Sequence, residues 1–85
     1  MNEIRIVFSD DEMVMVLREL GAIVEKRQVT KWMNEEAYQA WVWQVKKGNG
    51  NWTDAVPVFR GLMDIALKRS IAGQLSQFDL LMIIK

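Results

Sequence analysis

Five side chains that can contact nucleic acid are crowded into one short stretch. Lysine and arginine pair with phosphates, while glutamine and threonine can hydrogen-bond the edges of bases. On a helix, these groups would emerge opposite a stripe of Val29, Trp32 and Met33 that faces the core. We therefore predict, as a first hypothesis, a surface for double-stranded DNA made of Lys26, Arg27, Gln28, Thr30 and Lys31.

Tryptophan is the second group with functional potential, since the chain has 4 in 85 residues. Trp32 and Trp41 lie on the apolar stripe of the predicted central helix, so both are assigned to the core. Trp43 and Trp52 fall off that stripe and are candidates for exposure. Exposed indoles are enriched at the centres of protein interfaces. The second hypothesis is a small adaptor or inhibitor that binds a protein partner through Trp43 and Trp52.

Residues for catalysis are scarce. The chain has no cysteine and no histidine, which removes thiolate nucleophiles, the usual zinc ligands and the usual general base. The acidic run at residues 10–12 suits the first turn of a helix better than a metal site. The Gly48-Asn49-Gly50 loop lacks the Gly-Lys-Ser/Thr of a phosphate-binding loop. We predict a non-enzymatic protein without metal or cofactor.

Composition describes a globular chain. It is 51% hydrophobic and 26% charged, with a net charge of zero, which counts against nonspecific coating of nucleic acid but allows a local basic face. We find no apolar run near the roughly 20 residues of a membrane span and no signal-peptide pattern. The expectation is a single cytoplasmic domain over residues 1–85, with no membrane contact.

Two segments have clear helical signals. Ser9-Asp10-Asp11-Glu12 has the form of a capping box, and Gly21 stands where a left-handed residue ends a helix. After the 48–51 loop, Thr53 or Asp54 can cap a helix that has Pro57 in its first turn. Gly61 within that helix predicts a close contact with another helix, and Gly73 is expected to end it.

The middle of the chain fits two templates. Helical spacing holds from Val29 to Val45, whereas a strand would carry apolar side chains on both faces, which a small domain has little material to cover. We favour a helix from about residue 25 to residue 47. The tail from Ser76 is either a short helix capped by that serine or a final strand.

These elements predict an all-α fold, a compact bundle of four to six short helices containing a helix-turn-helix. The alternative is an α+β sandwich of βαββαβ order, with strands near residues 3–8, 23–31, 37–46 and 78–84.

Two resemblances point the same way. VEKRQVTKWMN, residues 24–34, is similar to the second helix of phage-repressor-like helix-turn-helix proteins, which implies transcription regulation by a homodimer that pairs two DNA half-sites. IRIVFS, the pair Asp10-Asp11, the spacing from Leu17 to Met33, and FRGL at residues 59–62 resemble the YehS-like family, small helical bacterial proteins of uncharacterised function. That second resemblance implies an all-helical fold and no active site.

Overall fold

The protein folds as a small α+β domain, so the predicted all-α bundle is wrong. A computed structural model describes residues 8–69 and 75–84. The sheet has three antiparallel strands in the order β1-β2-β3. None of the helices in these ranges is long and apolar enough to cross a membrane. The elements in chain order are α1 (Asp10–Glu19), β1 (Ile23–Met33), β2 (Glu36–Lys46), β3 (Thr53–Asp54), α2 (Ala55–Lys68) and α3 (Gln77–Ile83).

The central feature is a long hairpin of β1 and β2, each of 11 residues. Its register runs from Ile23 opposite Lys46 to Met33 opposite Glu36. Asn34 and Glu35 form the turn with φ values of 51° and 66°, the pair of left-handed conformations that a type I′ turn requires. The predicted helix over residues 25–47 is therefore wrong. So is the helix-turn-helix, because its expected recognition helix lies within β1 and the turn.

The reason for the error is physical. A strand in this segment requires cover for two apolar faces, and so small a domain has little material to provide it. The protein leaves them uncovered over the outer part of the hairpin, where Trp32 and Trp41 are exposed. The all-helical fold implied by the YehS-like resemblance fails for the same segment. Strands near residues 23–31 and 37–46, which belonged to the alternative sandwich, are confirmed.

Helix α1 follows its local sequence signals. The Ser9 Oγ accepts a hydrogen bond from the Glu12 N–H at 3.2 Å, and the Glu12 carboxylate accepts one from the Ser9 N–H at 3.4 Å. This is the predicted capping box. Gly21 follows the helix with φ of 87°, a conformation that a side chain would strain. It turns the chain directly into β1.

The core lies where the three helices meet the base of the hairpin. Val24 and Val45 face each other there, and α1 and α2 cover them, each with a fully buried leucine, Leu17 and Leu62. Further core residues are Met13, Val14, Leu20, Ala22, Ala55, Val58, Phe59, Leu80 and Ile84.

The C-terminal elements largely confirm the predictions. Pro57 lies in the first turn of α2, and a Cβ on Gly61 would lie 3.1 Å from Ile83 Cδ1, so α2 and α3 approach closely at the glycine. The tail is a helix with Ser76 at its N-cap, and the Ser76 N–H donates to Asp79 Oδ2 at 2.7 Å. The alternative strand at residues 78–84 is wrong. Helix α2 ends at Lys68 with Arg69 at its C-cap, so the expected helix end at Gly73 is wrong. The expected strand at residues 3–8 falls mainly outside the described residues.

Candidate protein-interaction surface

The hairpin has two faces of different character. Directly opposed residues in an antiparallel pair point to the same side, and successive residues alternate. We call the side that carries Val24 and Val45 the aromatic face, and the other side the opposite face. Beyond the core, the aromatic face presents Lys26, Gln28, Thr30 and Trp32 from β1, and Ala37, Gln39, Trp41 and Trp43 from β2.

Two indoles on the aromatic face are open to solvent. Trp32 is 71% exposed and Trp41 is 64% exposed. Assigning them to the core was wrong, because the helices cover only the base of the hairpin and these residues lie nearer its turn. Met33, 62% exposed, follows Trp32 at the turn. These side chains therefore contribute little buried apolar area to the stability of the monomer.

The two tryptophans predicted to be exposed are instead half-buried. Trp43 packs against the core and lies opposite Lys26, whose Nζ is 5.7 Å from its ring centroid. Trp52 is held near two cations, with Arg27 Cζ at 4.4 Å and Lys46 Nζ at 4.9 Å from its ring centroid. These cation–π contacts fix both rings in the monomer. Their packing makes them structural side chains in the free protein.

Polar groups lie between the exposed indoles. Thr30 and Gln39 face each other across the strands, and the Gln39 amide donates to the Thr30 Oγ1 at 3.0 Å. Both are exposed, as is Gln28, the residue opposite Trp41. The aromatic face therefore offers two apolar anchors separated by neutral hydrogen-bonding groups.

The opposite face is held by an ion pair. Lys31 Nζ donates to Asp54 Oδ2 at 2.7 Å, and the Gln44 amide donates to Asp54 Oδ1 at 3.1 Å. Lys31, and after it Gln44, hold the pKa of Asp54 below its usual 3.8. Asp54 stands at the N-cap position of α2 but makes no side-chain cap, because its carboxylate is used here. The contact ties β1 to the start of α2.

The five predicted DNA-contacting residues do not form one surface. Lys26, Gln28 and Thr30 lie on the aromatic face, whereas Arg27 and Lys31 lie on the opposite face. The cations are also engaged within the protein. Lys26 and Arg27 contact indoles, and Lys31 pairs with Asp54. On a strand these five side chains are divided between two faces, whereas on a helix they would lie on one face.

Other parts of the protein provide weaker candidates for a functional site. Across residues 8–69 and 75–84 we find no group of three His, Cys, Asp or Glu side chains placed to hold a metal ion. A cavity of about 460 Å³ lies between the start of α1 and α2, lined largely by apolar side chains such as Phe8, Phe59 and Met63.

No family model, no curated protein and no solved structure matches this chain.

Sequence reasoning missed Trp32, Met33 and Trp41 as surface residues. The available signal was Asn34 between two β-prone runs, since asparagine tolerates the first position of a type I′ turn. This signal is incomplete, because the second position of a type I′ turn is usually glycine and here it is Glu35. Once the turn is placed, the register puts Trp32 and Trp41 on one side.

Proposed function

We propose that this protein is a non-enzymatic interaction module that binds a protein partner through the aromatic face of its hairpin. The observation that carries this proposal is the pair of indoles at Trp32 and Trp41, 71% and 64% exposed on the same side of the sheet. Exposed apolar patches that are rimmed by polar residues mark interaction sites. Tryptophan is one of the residue types enriched at binding hot spots.

The backbone supports this role because it presents the indoles on a regular ladder. Each side chain stands on a strand that is paired along its whole length, so binding orders few backbone torsions. Thr30 and Gln39 already hydrogen-bond each other, which limits their freedom before a partner arrives. A partner that fits would insert apolar pockets over the indoles and match the neutral polar groups between them.

Charge favours a protein over duplex DNA. The outer aromatic face carries one cation, Lys26, and no acid among its paired residues. A DNA-binding surface needs several phosphate contacts, and the net charge of the chain is zero. The chemistry of this face suits a largely uncharged partner surface.

The test compares two equally exposed aromatic residues. Trp32→Ala removes an anchor from the aromatic face, whereas Phe78→Ala removes a side chain of α3 that is 77% exposed. Tagged protein and both variants capture partners from lysate of the source cells with and without nuclease treatment, and affinity is then measured with the purified partner. We expect Trp32→Ala to weaken binding about 30-fold, the scale of a 2 kcal/mol hot spot. Phe78→Ala should bind as the parent does.

Two results would overturn the proposal. The first is equal partner binding by the parent and Trp32→Ala, with both folded by circular dichroism. The second is capture that disappears after nuclease treatment, which would transfer the role of the indoles to stacking on bases.

A further inference from the structure

The two long edges of the hairpin differ in how they meet solvent. Natural sheets protect open edges with charged side chains and by covering the edge. Strand β1 has both devices. It contains four charged residues, Glu25, Lys26, Arg27 and Lys31. The Arg18 guanidinium of α1 also donates to the Val24 carbonyl oxygen at 2.9 Å, which occupies an acceptor of that edge.

Strand β2 has no charged residue from Ala37 to Val45. Strand β3 pairs with it at Gln44 and Val45. Between that pairing and the turn, the stretch 37–43 forms no ladder with another described strand on its outer side. Its sequence, AYQAWVW, combines β-prone and aromatic residues without glycine or proline, which is the composition that favours strand addition.

The turn determines which backbone groups face outward. In a type I′ turn the residues that flank it, Met33 and Glu36, form a hydrogen-bonded pair. Hydrogen-bonded pairs alternate along an antiparallel ladder, so even-numbered residues of β2 bond to β1. The odd-numbered residues direct their N–H and C=O groups outward. β3 uses this pattern at Val45, and the remaining outward residues are Ala37, Gln39, Trp41 and Trp43.

We propose that the open edge of β2 pairs antiparallel with the same edge of a second copy of this chain, centred on Ala40. One two-fold register pairs all seven open residues, with Ala37 opposite Trp43 of the second copy and Gln39 opposite its Trp41. Ala40 then faces Ala40 of the second copy. The two hairpins join into one sheet with β2 strands at its centre, an isologous arrangement that closes as a dimer.

Side-chain chemistry supports this register. No charged group meets another within residues 37–43 of the new pairing, and Glu36 lies beyond its end, because the outer side of Gln44 is already paired with Asp54. Small side chains face large ones, Ala37 with Trp43 and Val42 with Tyr38. The two copies of Trp41 become diagonal neighbours, within reach of each other across adjacent strands. By contrast, pairing β1 with itself would place several charged side chains at the contact and displace Arg18.

The pairing covers the apolar groups that the monomer leaves open along β2. Trp41 is 64% exposed and Tyr38 is 44% exposed. Val56 and Pro57 of α2 line a cavity of about 310 Å³ together with Trp41 and Trp43, so the start of α2 flanks this edge. Aromatic side chains bury about 150–250 Å² each, which puts the contact at the small end of protein interfaces. We expect a dimer that dissociates in the micromolar range.

The central alanine makes a charge-swap test possible. Ala40→Glu and Ala40→Lys each place two like charges face to face, so each variant alone should have the mass of one chain, 9.9 kDa, where the parent forms dimers. An equimolar mixture should recover the dimer, because a carboxylate then faces an ammonium. The measurement is sedimentation velocity on purified protein at several concentrations. A parent that stays monomeric at the highest concentration, or a mixture that stays monomeric, overturns the proposal.

A cross-linking test reads the register directly. The chain has no cysteine, so a single introduced thiol reports only its own surroundings. Ala40 and its symmetry mate would form a non-hydrogen-bonded pair, whose Cα separation of roughly 4.5 Å falls within the disulfide range. Ala40→Cys should oxidise to a covalent dimer, while Gln28→Cys, exposed on β1, should remain a monomer. Equal cross-linking of both variants contradicts the register.

This inference does not depend on the proposed function, and the two compete for Trp41, which the dimer covers and a partner would contact. Self-association is measured on the purified chain alone, and Trp32 lies on β1, outside the new pairing. A chain that dimerises without a partner, or binds a partner as a monomer, would separate the two proposals.

Discussion

The two ends of the hairpin share one ladder but have opposite surroundings. At the base, Val24 and Val45 are 2% and 0% exposed, packed between β-sheet and helices. Near the turn, Trp32 and Trp41 stand on the same face and are mostly exposed. Both ends carry apolar side chains on this face, and they differ in what covers them.

Strand formation in this hairpin therefore does not depend on local burial. The base contributes packing energy that anchors the ladder, and cross-strand hydrogen bonds extend it outward for 11 residue pairs. The outer part can therefore retain exposed side chains without losing its backbone geometry. If this view is correct, stability should respond strongly to changes at the base and weakly to changes near the turn.

The largest expected effect is at the core that holds the base. Leu62 of α2 is fully buried, and Leu62→Ala should lower the free energy of unfolding by about 2–5 kcal/mol through lost apolar burial and a cavity. Leu67→Ala on the same helix, where the leucine is 59% exposed, is the matched control and should change it by less than about 0.5 kcal/mol. Urea denaturation measures both. Similar losses in the two variants would show that α2 does not anchor the hairpin as described.

The next effect concerns the ion pair that joins the end of α2 to α3. Arg69 forms a two-pronged ion pair with the buried Asp79 carboxylate, with Nη1 to Oδ2 at 2.8 Å. Arg69, and then the Ser76 N–H, hold the pKa of Asp79 below its usual 3.8. Asp79→Asn should lower Tm at neutral pH, because a neutral amide cannot replace the buried carboxylate in its charged hydrogen bonds to the guanidinium.

The pH dependence of that variant has a definite sign. A carboxyl whose folded pKa is lowered stabilises the folded state above the unfolded pKa of 3.8, and the contribution is lost as pH falls through the folded value. The Tm difference between Asp79→Asn and the parent should therefore be full near neutrality and shrink below about pH 3.8. A difference that stays constant down to the acid limit would contradict the ion pair as its source.

A smaller effect, of opposite sign, is expected at the turn. Glu35 adopts φ of 66°, a left-handed conformation that costs a side-chain-bearing residue about 1 kcal/mol. Glu35→Gly should raise the free energy of unfolding by about that amount, measured by urea denaturation. Glu36→Gly, one position later and within β2, should instead lower it, because glycine weakens a strand. If Glu35→Gly destabilises, then Glu35 contributes contacts that outweigh its strained conformation.

Local signals in the sequence predicted the helical parts of the fold correctly. The Ser9 capping box, Gly21, the Pro57 helix start and the Gly61 contact are all confirmed, because each depends on residues within one turn or on one close approach. Ser76 is a further local signal of this kind, although the sequence after it is also compatible with a strand. Such short-range chemistry is visible without knowing the rest of the chain.

The hairpin was mispredicted because its apolar pattern fits both periods. The run from Val29 to Val45 is consistent with 3.6-residue spacing, and burial was assumed to decide between the two. Burial does not decide, since Trp32 and Trp41 are exposed. The same error assigned Trp32 to the core and placed all five predicted DNA-contacting residues on one face of a helix. Which side chains remain open depends on where α1 and α2 end, and that is a tertiary property.

The smallest expected change in stability is at the outer end of the hairpin, and it tests most directly whether the two ends differ as described. Replacing a buried tryptophan by alanine usually costs about 3–5 kcal/mol, yet Trp32→Ala should change the free energy of unfolding by less than about 0.5 kcal/mol, because the indole is 71% exposed and covers no core residue. Chemical denaturation measures this at a protein concentration low enough to keep the chain monomeric. Val45→Ala on the same face provides the contrast, since its side chain is fully buried. A loss at Trp32 comparable with that at Val45 would mean that the outer indole stabilises the monomer, and its exposure would then no longer point to a partner.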